Sequence, residues 1–181
     1  MLNTWNRDVQ TRAVKIFGKA EIRDRSQVVE SYIKELSEIR SSSVGSDLED
    51  GRKLYQQHCA VCHLSKDDVP ALGPNLSSLS DLSIRNLMTG ILDPNRAVDG
   101  KYKQYIVRTE DDATLAGVIV QESSSSITLA SADGKRHVLE RASIAELKDQ
   151  GISLMPEGFE RQLNVNAMRQ VIAYVQQKQD P

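Results

Sequence analysis

The sequence predicts a mainly α fold: a helical domain carrying a small antiparallel β-meander as an insertion, with a helical extension at its N-terminus. Three observations carry this expectation. Apolar residues recur at helical spacing over 4–19, 24–40, 47–61, 81–92 and 165–178. One stretch, 103–145, switches to the two-residue period of strands. The segments between are rich in proline, glycine and serine. At 181 residues the chain has the length of one domain, or of one domain with an appendage.

In chain order, 24–40 carries Val28, Val29, Tyr32, Ile33, Leu36 and Ile39 on one stripe, with Asp24 and Gln27 as a capping box. Residues 41–45 read as a linker, which divides the chain into an extension over 1–45, the tail of a preceding domain, and a domain over 46–181. Ser46 and Glu49 form a second capping box, opening a helix over 47–61. Residues 64–80 are loop, 81–92 helix, and Asp93-Pro94-Asn95 stops that helix. Four or five strands follow over about 103–145, with Asp133-Gly134 as a hairpin signal. Residues 149–163 return to loop, and Asn164 caps a last helix over 165–178.

The charge balance, 23 Lys+Arg against 25 Asp+Glu, gives a net charge of −2 and excludes the basic signature of a nucleic-acid partner. No apolar run is long enough to span a bilayer, so no transmembrane segment is expected. Aromatic residues make up only 4%. Either the core is aliphatic, or a large apolar cofactor takes the space that aromatic rings would fill.

The two cysteines stand in His58-Cys59-Ala60-Val61-Cys62-His63. C-x-x-C-H is the attachment pattern of c-type haem. Cysteines three apart on a helical turn present both sulfurs to one side, for addition to the two vinyl groups of one haem edge. The following His63 can then turn its imidazole to the iron. A thioredoxin-like pair would end a strand in a βαβ unit, and none surrounds it. A zinc site needs four ligands, and the six residues give poor geometry for that. A plain disulfide leaves His63 unexplained.

For the sixth iron position, Met155 stands in the stiff loop Ser153-Leu154-Met155-Pro156-Glu157-Gly158. Its other reading is as a gap-filler of the core. Met88 and Met168 lie on helix faces and read as core. His58 reads as exposed, and His137 in a strand gives a bis-histidine alternative. No nucleophile elbow, phosphate loop or H-E-x-x-H is present. The acidic pairs Asp67-Asp68 and Asp111-Asp112 read as solvated loop residues.

In combination these residues resemble class I c-type cytochromes. Gly51, Leu54-Tyr55, the 58–63 motif, Gly73-Pro74-Asn75-Leu76, Ile91 to Asn95 and Ser153 to Gly158 are similar to the haem-binding domain of planctomycete and verrucomicrobial proteins, over about 46–178. In that family the domain ends larger exported chains. The resemblance implies a cytochrome c-like helical haem domain with one covalently attached haem c and its iron. Cys59 and Cys62 would carry the thioethers, His63 would be the proximal ligand and Met155 the distal one. Gly73 would let the loop approach the proximal histidine and Pro74 would abut it.

The implied function is electron transfer, not catalysis, with a redox partner protein or a fused dehydrogenase domain as donor. A haem-based sensor with a labile sixth ligand is the alternative. The N-terminus lacks a signal peptide. Haem c is attached outside the cytoplasm, so the sequence is expected to be a piece of a longer periplasmic or otherwise exported protein. The two N-terminal amphipathic helices need a partner for their stripes, and a homodimer contact is one way to supply it.

Overall fold

The computed structural model describes residues 24–39, 44–63 and 71–177. The helix expected over 4–19 and the pair Asp67-Asp68 lie outside the described residues.

Helix α1 (Ser26–Glu38) follows Asp24, whose carboxylate accepts the Ser26 amide at 2.9 Å. Helix α2 (Val44–His58) begins before the expected Ser46 cap, so Ser46 lies inside it. Glu49 there pairs with Arg52, accepting its guanidinium at 3.0 and 2.7 Å. A single turn, α3 (Ala60–His63), follows α2. Helix α4 (Ile84–Leu92) opens on Ser83, whose hydroxyl accepts the Asn86 amide at 3.3 Å. Helix α5 (Val165–Gln177) opens on Asn164, whose side chain accepts the Ala167 amide at 2.9 Å.

Helices α2 and α5 approach closely because residue 51 is glycine: a Cβ there would lie 2.1 Å from the Gln170 carbonyl oxygen. One turn on, the rings of Tyr55 and Tyr174 pack at 5.3 Å. The four long helices share one apolar cluster, with Val29 from α1, Tyr55 from α2, Met88 and Leu92 from α4, and Met168 and Val171 from α5. Helix α1 therefore buries its stripe in the chain's own core, where Val29 is 1% exposed.

The remaining elements form an antiparallel sheet: β1 (Lys103–Thr109), β2 (Thr114–Glu122), β3 (Ser126–Ala130), β4 (Arg136–Glu140) and β5 (Ile144–Ser153), in the order β4-β3-β2-β1-β5. The expectation of a mainly α fold is corrected here. Among the described residues five helices stand beside a five-stranded sheet, and the fold is mixed α/β. The reason is that the sheet buries apolar residues of its own. Val107, Ile127 and Leu129 pack with Tyr105, Leu115 and Ile119. Leu72, Val118 and Ala130 pack with Cys62, Val120 and Leu154.

Strand β5 runs to Ser153, where loop was expected from 149. It is an edge strand, and Gln150 is its single fully buried residue, so it shows no alternation in the sequence. Near its end Gly151 takes φ 68°, and the β1–β5 register shifts between Tyr105↔Asp149 and Lys103↔Ser153. This bulge re-aims the chain. Leu154 then packs with the sheet cluster and Met155 with the helical one.

Candidate functional site

The turn after α2 sets the spacing of the motif. The Cys62 and His63 amides donate to the Cys59 carbonyl at 3.1 and 3.0 Å, so both thiols and the imidazole leave one helical turn. Cys59 and Cys62 are free thiols. Burial pushes the Cys59 thiol up to about 11, with Cys62 beside it adding to the effect, and burial also raises Cys62. That is opposite to the lowered value of a thiol-exchange cysteine. Among the described residues no three His, Cys, Asp or Glu side chains come together to hold a metal ion.

Residues 73 and 74 lie against the His63 ring. The Gly73 amide donates to the Cys62 carbonyl at 2.9 Å. A Cβ on Gly73 would fall 2.7 Å from His63 Cε1 and 2.9 Å from Nδ1, so only glycine lets the backbone lie this close. His63 Nδ1 is 2.8 Å from the Pro74 carbonyl oxygen. A carbonyl only accepts, so Nδ1 carries the proton and Nε2 holds the lone pair. Burial favours the uncharged ring and lowers its pKa, while the Pro74 bond opposes this.

Met155 lies in the loop leaving β5 and is half-buried. Its amide donates to the Ser153 hydroxyl at 3.1 Å. Asn95, in the segment that stops α4, accepts the Ser153 amide at 2.8 Å and donates to Glu157 at 2.7 Å. In the sequence Asn95 is readable as part of a helix stop and of the stretch Ile91 to Asn95 that carries the family resemblance. Its role as a brace of the Met155 loop rests on contacts about 60 residues away and had no local signal.

Cys59, Cys62, His63, Gly73, Pro74 and Met155 all line one cavity of about 550 Å³. That volume is in the range of cofactor pockets. Its walls are largely aliphatic, with Leu87 and Ile91 from α4 and Val171, Ile172 and Val175 from α5. Leu72 and Leu154 connect it to the sheet. Arg96 and Tyr102, which the sequence did not single out, also line it, as does Asp93 of the segment that stops α4. Asp93 is 4% exposed, its Oδ1 has no partner, and burial holds its carboxyl above the usual range.

Met88 and Met168 are fully buried in the helical cluster and do not line the cavity. His58, expected to be exposed, is half-buried and lines it. His137 sits in β4 opposite Leu129 and does not line it. The residues present fit a haem c: paired thiols on one turn, an imidazole with its lone pair on Nε2, a thioether, and an apolar space between them. No helix among the described residues is long and apolar enough to cross a membrane.

No curated protein matches the chain. Residues 46–106 match the family model described as cytochrome c oxidase, cbb3-type, subunit III, which covers α2 to β1 and leaves α1, β2 to β5 and Met155 outside. That match, over about a third of the chain, supports a c-type cytochrome and with it haem-based electron transfer.

Proposed function

We propose that this chain holds one covalent haem c through Cys59 and Cys62, with His63 and Met155 as axial ligands, and passes single electrons between redox proteins. The observation that carries the reading is the joint lining of one apolar cavity by all six of these and their supporting residues, Cys59, Cys62, His63, Gly73, Pro74 and Met155.

Bound haem supplies a one-electron iron couple. The chain's residues do the rest. The Pro74 carbonyl fixes the His63 ring and its tautomer. Ser153 and Asn95 hold the backbone at Met155. The aliphatic walls from α4 and α5 exclude water. A filled axial pair needs no general acid or base, so this reading makes the chain a carrier, not an enzyme. A dehydrogenase, in a longer version of this chain or as a partner, is the proposed donor, and another cytochrome or a terminal oxidase the acceptor. The place is the periplasm or another exported compartment, because c-type attachment occurs outside the cytoplasm.

The test is expression with c-type maturation machinery, followed by denaturation and separation of loose haem. The reading expects haem to stay with the chain, to stay through a single thioether in Cys59→Ala, and to be lost in the Cys59→Ala/Cys62→Ala pair. Haem that leaves the wild-type chain on denaturation contradicts it.

A further inference from the structure

We propose that Arg25, at the start of α1, latches the Met155 loop through the chain Arg25–Glu157–Asn95–Ser153, so that α1 governs how firmly Met155 is held. The inference rests on the reading of Met155 as an iron ligand.

The Arg25 side chain is only 15% exposed and reaches three partners from two distant segments. Its Nε donates to the Leu92 carbonyl at 2.5 Å. Leu92 ends α4, where carbonyls lack helical partners and the helix dipole is negative. One guanidinium nitrogen donates to Glu160 at 2.7 Å, and the other lies 3.8 Å from Glu157. Glu157 accepts from Asn95 at 2.7 Å, Asn95 accepts the Ser153 amide at 2.8 Å, and Ser153 accepts the Met155 amide at 3.1 Å. A second strap comes from α1 as well: the Tyr32 hydroxyl lies 3.1 Å from the Glu160 carbonyl and 3.0 Å from that of Leu163.

The Arg25 guanidinium joins the end of α4 to both carboxylates of the loop. Glu160 Oε2 is buried with no hydrogen-bond partner, and Arg25 is the side-chain partner of this carboxylate, with the Glu160 amide and Arg161 adding to its stabilisation. Removing the guanidinium takes the cationic partner from two half-buried carboxylates of the loop, which favours its opening toward water. The loop carries Met155, so opening it releases the thioether. Arg25 and Met155 both lie outside the segment matched to the cytochrome family, at opposite ends of the chain. Arg25 is a positioning residue in this account, because it does not itself line the cavity.

The test uses the full haem-loaded chain in the ferric state, titrated with imidazole. Imidazole reaches the iron only when Met155 lets go, so its apparent affinity reads the open fraction. Arg25→Gln and Asn95→Ala are expected to bind imidazole about tenfold more tightly than wild type, with Arg25→Lys between them, since it keeps the charge and loses the fork. Met155→Ala sets the ceiling. Met88→Ala, a fully buried core variant outside the cavity wall, is the control for general loosening. Equal affinity in wild type, Arg25→Gln and Asn95→Ala overturns the latch. So does a gain in Met88→Ala as large as that in Arg25→Gln at the same loss of Tm. If Arg25→Gln does not fold, Asn95→Ala alone decides. Wild type that binds imidazole as tightly as Met155→Ala shows instead that Met155 is not a ligand, a failure of the functional reading that is distinct from failure of the latch.

Discussion

His63 Nδ1 donates to the Pro74 carbonyl oxygen at 2.8 Å. The bond does two things at once. It selects the tautomer whose lone pair is on Nε2, and it holds the ring in a fixed plane facing the cavity. The bond exists because residue 73 is glycine. The backbone of that loop lies where any Cβ would strike the imidazole.

Gly73→Ala is therefore expected to push the loop off the ring and lengthen the Pro74 bond. The cost of the overpacking is about 1–3 kcal/mol. Thermal unfolding of the variant should show that loss, and the yield of haem-loaded chain should fall with it. Wild-type stability and full haem loading would show that the loop can move aside freely.

The methionines separate into two roles. Met88 is fully buried among helices and away from the cavity wall. Met88→Ala should cost about 2–5 kcal/mol in stability, as large-to-small core changes do. It should leave the visible spectrum of the loaded chain as it is. A changed axial spectrum in Met88→Ala would contradict this division.

Asp47 and Arg169 tie α2 to α5 through two contacts of 2.7 Å. The Arg169 guanidinium holds the Asp47 carboxyl below the usual carboxylate range. Its pKa is thus lower in the folded chain than in the unfolded one. The stabilisation is fully present above the unfolded value of about 4 and is lost as pH falls through the folded value. Tm of wild type and of Asp47→Asn, followed from neutral pH downward, should differ by a constant amount at first. The gap should close only below about pH 4. A gap that grows on acidification would have the opposite sign and contradict the pairing.

The sequence made the chemistry of the site readable and left its scaffold partly hidden. The motif at 58–63 and the Met155 loop are local patterns, and the cavity gathers both. Helices α1, α4 and α5 follow from apolar stripes, and α5 also from Asn164 as its cap, whereas the Ser83 cap of α4 emerged only in the structure. Strand β5 was not readable past 145, because an exposed edge strand needs no alternation. Missing its end at Ser153 also hid what the sheet does. The strand pairs Ser153 with Lys103 of β1, and so sets where the next residues, Leu154 and Met155, begin. The sheet therefore frames the site, which a mainly helical reading could not express. Arg25 gave no signal at all, since its partners Leu92 and Glu160 lie 67 and 135 residues away.

The most direct measurement of the central claim is the visible spectrum of the haem-loaded chain, oxidised and reduced, with and without carbon monoxide, in wild type and Met155→Ala. The account predicts a six-coordinate wild type that ignores carbon monoxide and shows an oxidised methionine-to-iron charge-transfer band. In Met155→Ala that band disappears and carbon monoxide binds. A wild-type chain that takes up carbon monoxide readily, or whose band survives in Met155→Ala, would contradict ligation by His63 and Met155.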